Sequence, residues 1–450
     1  MRGLLWALLV LALTGVLGLS LILGKPTSAV DWRPLRAVAF ESDDWGLQGF
    51  IPAAGAWEGL DRASMGCGSF PEVYWSSTLE DSTMVADLCR LMNRFQGREG
   101  LPPVFQPNYV MSGLGLIALV DGKKSWHRFD LPDLDPRYSR PGLWQAVADG
   151  IESGVWWPEL HATWHYDPLK RREAALQAGV PAAATDRGIM LFPGSERARE
   201  LGNWRELEEL TIELDHSLAV FQGLFGRSPI SVIAPDYHWN RKHEEMWNSR
   251  GLKVIQAKKE QKNLAWGRGL RGRLAKIADR SVGRLLHPGR VYLERNCRFE
   301  PVQNQDPGAV VTACLEETRL AWDRAQPAIV ETHRVNFAHV HPAVVSIGLK
   351  CLASYLEELT RPAELMPTFL TDWEISQLQN RGTSWSVRGG RIVVRNGTRS
   401  ARLITIPAED LNLARERAGL GPVPNKPHLL ALKAGETRIL APKYFDFARY

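Results

Sequence analysis

The stretch AVAFESDDWG, residues 37–46, places an apolar run of strand length directly before two adjacent carboxylates, Asp43 and Asp44. Gly46 follows and lets the backbone turn sharply. In a β/α barrel the residues at the carboxyl ends of the strands face the active site. This stretch therefore predicts a strand that ends in functional carboxylates. A turn or a helix cap is the alternative role for the two acids.

Similar apolar or β-branched runs recur along the chain and alternate with segments of helical spacing. The later strand-like runs occupy residues 103–109, 155–160, 230–234, 252–256, 290–294, 328–332 and, more weakly, 368–371. The helical segments occupy residues 81–95, 196–225, 310–324 and 343–359. Strands that alternate with helices form parallel sheets, so this order predicts an α/β fold, a closed β/α barrel of seven or eight strands.

The composition is that of an ordinary globular protein. Of 450 residues, 44% are hydrophobic and 23% are charged, which excludes an intrinsically disordered chain. The net charge of +5 is too small to require a nucleic-acid partner. Five cysteines lie far apart without a CxxC pair, which excludes a disulfide scaffold and argues against a thiolate zinc site.

The N-terminus carries an uncharged apolar stretch at residues 4–23, long enough to cross a bilayer as a helix. Residues 1–29 are therefore predicted to be a signal peptide or a signal anchor. We expect an exported protein that is anchored in the membrane and faces the periplasm or the cell exterior, or that is secreted if the signal is cleaved.

The remainder divides into two predicted parts. Residues 30–378 contain the strand and helix alternation and would form the barrel. Residues 379–450 change to a period of two and include the turn pair Gly389-Gly390. This second pattern predicts a small β-rich accessory region.

Two histidines, His161 and His165, follow the third strand-like run at a spacing of four. This spacing puts both imidazoles on one face of a helical turn. Together with a carboxylate they would make a three-point site for a divalent ion such as zinc, with positions left for water and substrate. The pattern is not HExxH, which argues against a zinc protease of that class.

Two more strand ends carry polar or aromatic side chains. The stretch IVETHRVNF, residues 329–337, ends a strand-like run at His333, where acid–base work is geometrically possible although a structural histidine is the commoner case. The stretch IAPDYHW, residues 233–239, contains Tyr237 and Trp239. An aromatic ring such as that of Trp239 could stack on a sugar.

The order and spacing of these motifs resemble the polysaccharide deacetylase family, the metal-dependent carbohydrate esterases with NodB homology. The matching positions are Asp43-Asp44, His161 to His165, Ala234-Pro235-Asp236-Tyr237 and His333. The resemblance covers roughly residues 35–375 and implies a β/α-barrel hydrolase.

The family's roles carry over to the matching positions. The resemblance implies that Asp43 is the catalytic base and that Asp44 binds the metal. It implies that the histidines of the HxxxH motif complete the metal site. It further implies that His333 is the general acid and that Tyr237 lines the groove while its backbone N–H holds the oxyanion.

This chain departs from the family pattern in its third motif. An arginine usually stands where Ala234 lies and holds the carboxylate of the base. Arg295 and Arg334 are the candidates to replace it. The first motif also has Glu41-Ser42 where the family has Thr-Phe, which indicates a divergent branch.

The resemblance implies a metal-dependent hydrolase that removes acetyl groups from an N-acetylated polysaccharide, with a divalent ion, zinc expected, as the cofactor. Two alternatives stay open. The missing arginine is compatible with a catalytically impaired glycan-binding or scaffold protein on the same barrel. A glycoside hydrolase would use two carboxylates without metal.

Residues 258–290 hold ten Lys or Arg and only two acids. A solvated insertion explains this cluster, and contact with an anionic glycan or lipid head groups is the functional alternative. Aromatic residues other than Trp266 do not interleave with the charges, which argues against nucleic acid.

Overall fold

The computed structural model describes most of residues 30–441. The positions outside the description are 1–29, 49, 63–70, 119–122, 177–178, 191–199, 202–204, 259–270, 272–273, 276, 279–288, 362–365, 418–421, 423–426 and 442–450. The predicted signal segment and most of the basic segment 258–290 fall among them. No helix among the described residues is both long and apolar enough to cross a membrane.

A parallel sheet forms the centre of the fold. Its strands are β1 (Ala37–Trp45), β2 (Phe105–Val110), β5 (Glu159–Ala162), β6 (Ser231–Val232), β7 (Val254–Ala257), β8 (Val291–Glu294), β9 (Cys297–Arg298), β10 (Ala328–His333) and β11 (Thr368–Phe369). The order across the sheet is β8-β7-β6-β5-β2-β1-β10-β9, and β11 pairs with the start of β1. Two further strands, β3 (Ser112–Ala118) and β4 (Lys124–Asp130), form a separate antiparallel pair.

The sheet curls until its two ends share one stretch of chain. Strands β8 and β9 lie at opposite ends of the sheet, yet only Arg295 and Asn296 separate them along the chain. The N–H of Arg295 donates to the Ala257 carbonyl on β7 at 2.8 Å, and that of Asn296 donates to the Ile329 carbonyl on β10 at 3.1 Å. This curl brings together side chains from strands that are distant in sequence.

Helices cover the sheet and bury its strands. The helices that precede the C-terminal strands are α1 (Trp32–Leu35), α2 (Ser82–Asn93), α3 (Leu143–Glu152), α4 (Pro168–Ala175), α5 (Val180–Asp186), α6 (Leu207–Phe225), α7 (Arg241–Ser249), α8 (Pro307–Asp323), α9 (Pro342–Thr360) and α10 (Asp372–Arg381). A further helix, α11 (Ala408–Arg417), packs against the C-terminal strands described below. All nine residues of β1 are buried, as expected for a parallel strand covered on both faces.

All eight predicted strand-like runs overlap a strand of the sheet, which confirms the parallel α/β architecture. The predicted closed barrel is not shown: β8 and β9 do not pair among the described residues, so the sheet is a curled half-barrel. The pair β3–β4 was not predicted. Within the predicted helical segment 196–225 the structure has the helix Leu207–Phe225, and residues 196–199 and 202–204 of the segment lie outside the described residues. The two acids of β1 lie beside the end of β10, with Asp43 paired in register with His333.

The C-terminal residues form two small antiparallel sheets. One contains β12 (Thr383–Arg388), β13 (Arg391–Asn396) and β16 (Thr437–Leu440), and the other β14 (Arg402–Ile406) and β15 (His428–Leu432). The buried Arg395 of β13 pairs with Glu374 of α10 and, through Nη2 at 2.5 Å, with Glu99 Oε2. These ion pairs connect β13 to α10 and to the loop that contains Glu99. The domain boundary near residue 378 stays a prediction.

Candidate metal centre

Asp44, His161 and His165 lie together at the carboxyl end of the sheet. One ligand atom from each falls within 4.8 Å of the other two. The Nε2 atoms of His161 and His165 lie 3.5 and 3.2 Å from Asp44 Oδ1. Ligands held about 2.0–2.2 Å from a tetrahedral ion lie roughly 3.3–3.6 Å from one another, so these two separations suit a divalent cation.

The polar atoms of this trio also fit a metal. Asp44 Oδ1 is buried and accepts no hydrogen bond among the described residues, although two imidazoles face it. The Nδ1 of His161 contacts the Ile233 carbonyl at 3.0 Å, which favours the tautomer with the Nε2 lone pair toward Asp44. Burial acts to raise the pKa of Asp44, but the two histidines outweigh it and hold that pKa well below its usual range. The trio, in which Asp44 and His161 are buried and His165 is partly exposed, could therefore hold a metal ion.

The backbone is strained where two of these side chains emerge. Asp44 has φ 72° and His165 has φ 66°, both in the left-handed region that side chains other than glycine seldom adopt. Such conformations persist only where the surrounding structure holds them, and they cluster at functional sites.

Arg295 holds Asp43 from the gap between β8 and β9. Its Nη1 donates to Asp43 Oδ2 at 2.6 Å and its Nη2 to Asp43 Oδ1 at 2.7 Å. Asn108 Nδ2 also donates to Asp43 Oδ1, at 2.8 Å. Burial acts to raise the pKa of Asp43, but the charge and hydrogen bonds of Arg295 lower it overall. Asp43 is thus a carboxylate at neutral pH.

Arg295 is the arginine that lies against Asp43, whereas Arg334 lies elsewhere. Arg334 Nη1 donates to the Leu47 carbonyl at 2.7 Å and pairs with Glu80 at 3.3 Å. Glu80 in turn accepts the backbone N–H of Gly46 at 3.0 Å. Arg334 and Glu80 therefore hold the turn that follows β1.

His333 lies across from Asp43 and is paired with a carboxylate that was not predicted. Its Nε2 is 3.9 Å from Asp43 Oδ2, and its Nδ1 is 2.5 Å from Glu300 Oε1. Burial acts against the charged imidazolium, but Glu300 outweighs this effect and raises the pKa of His333 to about 10. No motif singled out Glu300, which follows β9 in a loop and is 4% exposed.

Replacing Glu300 by glutamine should lower the pKa of His333 and reduce stability by about 2 kcal/mol, typical for a hydrogen bond to a charged group. The folded-state pKa of His333 lies above its unfolded value of about 6.5, so its stabilisation is complete below that pH and is lost as the pH rises toward 10. The stability gap between wild type and variant should therefore narrow between these limits. NMR titration of metal-free protein and urea unfolding across this range measure both effects, and an unchanged His333 pKa would contradict the pairing.

Asn336 fixes Glu300, and helix α9 packs directly against its backbone. Asn336 Nδ2 donates to Glu300 Oε2 at 2.7 Å. A Cβ added at Gly348 of α9 would lie 1.7 Å from the Asn336 carbonyl oxygen. Glycine at this position therefore permits the close approach of the helix.

Gly348→Ala should destabilise the protein by about 1–3 kcal/mol, because the backbone of Asn336 must move to admit the methyl group. The matched control is Gly223→Ala in α6, where nothing lies within 4 Å of the added Cβ. That substitution should stabilise by up to about 1 kcal/mol through helix propensity. Thermal unfolding of both variants measures these changes in stability. Equal shifts in Tm for the two variants would refute the packing argument.

Tyr237 lies at the site, but its backbone N–H is engaged. The Tyr237 hydroxyl accepts from Arg295 Nη1 at 3.0 Å and donates to Glu331 Oε2 at 3.2 Å. Its N–H donates to the Ala234 carbonyl at 3.0 Å, so an oxyanion would have to share that donor. The oxyanion role stays a prediction.

Trp239 is not brought to the site surface. It is 2% exposed, and its Nε1 donates to Glu244 Oε1 at 2.8 Å. A ring covered in this way offers no face to a sugar. The predicted substrate contact of Trp239 is therefore wrong for this structure.

The chain matches no protein-family model and none of the curated proteins. Similar solved structures include a candidate polysaccharide deacetylase from Mycobacterium smegmatis, with 11% identity, 74% of this chain and 93% of that chain covered and a TM-score of 0.33. A candidate α-galactosidase from Bacteroides fragilis covers 90% of this chain and 79% of its own, with 11% identity and a TM-score of 0.28. An α-amylase from Anoxybacillus covers 91% and 98%, with 9% identity and a TM-score of 0.30.

Proposed function

We propose that this chain is a metal-dependent hydrolase that removes acetyl groups from an N-acetylated polysaccharide, on a divergent barrel of the polysaccharide deacetylase kind. The observation that carries the proposal is the adjacency of three groups. The metal-binding trio, the arginine-held carboxylate of Asp43 and the imidazolium of His333 meet at one end of the sheet.

Asp44, His161 and His165 would hold the ion, and zinc is the expected metal because it accepts imidazole and carboxylate ligands. A divalent ion held by these residues would supply Lewis-acid polarisation of an amide carbonyl and a lower pKa for water, which is the chemistry that amide hydrolysis needs. The proton transfers of the reaction would be carried out by side chains of this chain.

Asp43 would accept the proton of the attacking water, because Arg295 keeps this carboxyl ionised and oriented. His333 would donate a proton from Nε2 to the departing amine, because Glu300 occupies Nδ1 and keeps the ring charged. An amine anion is too basic to leave without this proton. The products would be acetate and a free amino sugar.

The proposal is tested with the purified protein and an oligomer of N-acetylglucosamine by measuring metal content, acetate release, new reducing ends and glycan binding. We expect one equivalent of metal per chain, release of acetate, loss of that release with a chelator and its recovery on adding zinc. Metal-free wild type that releases reducing ends would instead support a glycoside hydrolase. Glycan binding without acetate release would support the scaffold alternative.

We also propose that the protein works outside the cytoplasm, held at the membrane by residues 4–23 or secreted after cleavage. The support is the apolar N-terminal stretch alone. The basic segment 258–290 is proposed to contact anionic glycan or lipid head groups, and no nucleic acid is expected. Protease accessibility in intact cells tests the location.

A further inference from the structure

Three consecutive backbone N–H groups converge on one buried carboxylate beside the metal centre. The N–H of Thr163 donates to Glu200 Oε1 at 3.2 Å, and those of Trp164 and His165 donate to Glu200 Oε2 at 2.9 and 3.0 Å. Glu200 is only 4% exposed. Hydrogen bonds from N–H groups to an ionised carboxylate are stronger than those to a neutral acceptor.

These donors lie where the chain leaves the sheet. Strand β5 ends at Ala162, so the N–H groups of residues 163–165 lack the strand partner that holds the residues before them. Buried backbone donors need a partner, and Glu200 supplies it. The same turn contains the left-handed backbone of His165, which needs support from its surroundings.

The two histidines of the centre are held differently. His161 belongs to β5, and its Nδ1 contacts the Ile233 carbonyl. The Nδ1 of His165 has no hydrogen-bond partner among the described residues. Its ring packs on Tyr166, with the ring centroids 4.4 Å apart, so its direction depends on the backbone of the turn.

We infer that Glu200 is a positioning residue of the metal centre, because it fixes the turn at residues 163–165 and thereby directs the His165 imidazole at Asp44. The inference rests on the proposed function in requiring that the centre binds a metal. Loss of Glu200 leaves Asp44 and His161 in place but releases the third ligand. Metal affinity should then fall without the site being abolished.

The test is zinc binding to the metal-stripped full chain, measured by calorimetry for wild type and Glu200→Gln. Losing an outer partner of a metal ligand typically weakens affinity about 10- to 100-fold, and we expect a loss of that size with one site per chain retained. The visible spectrum of the cobalt(II) form should also change, because the third ligand is no longer held. Glutamine keeps the size of the side chain and one acceptor oxygen, so this variant carries the test if Glu200→Ala does not fold.

Glu159→Gln is the matched control. Glu159 is a buried carboxylate that accepts the N–H groups of Ile230 and Ser231, both at 2.8 Å, but at the start of β5 rather than at its end. This variant should lose stability and keep wild-type zinc affinity and the wild-type cobalt spectrum. Unchanged affinity in Glu200→Gln, or an equal loss in both variants, overturns the inference and leaves the proposed function standing. A wild type that binds no metal overturns both.

Discussion

Arg295→Met is expected to lower the free energy of unfolding by about 3–5 kcal/mol at neutral pH and to abolish activity. The Arg295 side chain is fully buried and holds the carboxylate of Asp43 through both terminal nitrogens. Its Nε also donates to the buried Glu41 carboxyl group at 2.6 Å. Methionine matches the apolar stem but leaves the Asp43 carboxylate without its cation. Breaking a buried ion pair from one side is costly because the remaining charge stays unsolvated.

The pH dependence of this loss follows from Asp43. Arg295 lowers the pKa of Asp43 in the folded protein. The pair therefore stabilises the fold fully above the unfolded-state pKa of Asp43, about 4, and this stabilisation is lost as the pH falls through the folded-state pKa. In the variant, burial acts unopposed by Arg295 and should raise that pKa, so Asp43 takes up a proton more easily. The stability gap between wild type and variant should therefore shrink on acidification. Urea unfolding at neutral pH and at about pH 4 measures it.

Arg227→Met provides the control for Arg295. Arg227 also has a largely buried side chain and pairs with Glu159 at 3.2 Å, at the start of β5. Its loss should reduce stability but leave the catalytic activity of the folded protein and the pKa of Asp43 unchanged. If Arg295→Met is as stable as wild type, or is active, then Arg295 does not hold the base.

The need for an arginine could be predicted from the sequence, but its identity could not be decided. A base carboxylate buried beside a metal requires a cation, and Ala234 does not supply one. Arg295 and Arg334 were both candidates for this cation because both follow the end of a predicted strand. The curl of the sheet places the β8–β9 gap across from the end of β1, and this brings Arg295 against Asp43, 252 residues away along the chain.

The metal trio was more predictable because strand geometry alone brings it together. Parallel strands present their carboxyl ends at one edge, so the acids in the last residues of β1 and the histidines at the end of β5 and just after it lie close together whatever the conformation of the loops. Glu200 and Glu300 escaped prediction because each lies in a connection beyond a strand, where local pattern does not specify direction. The predicted substrate contact of Trp239 was wrong for the same reason, because proximity to Tyr237 along the chain does not determine the direction of the Trp239 ring.

Removing a metal ligand should have the other large effect. Binding of an ion to the folded state alone stabilises it, by about 4 kcal/mol when the free metal is a thousand times its dissociation constant. Asp44→Asn replaces the one carboxylate of the proposed trio by a neutral amide. This variant should lose the stoichiometric metal, the metal-dependent rise in Tm and all acetate release.

Asp43→Asn is the comparison that separates the two neighbouring acids. Asp43 is held by Arg295 and faces His333, whereas Asp44 faces the two histidines of the trio. The amide variant of Asp43 should therefore keep the bound metal and lose the proton acceptor. Metal content by elemental analysis, Tm with and without zinc, and acetate release then give different patterns for the two variants. Metal affinity should also fall on acidification, because protons compete for the imidazoles and Asp44 raises the pKa of His161 against its burial. If Asp44→Asn retains the metal, the ion binds elsewhere and the trio is not the centre.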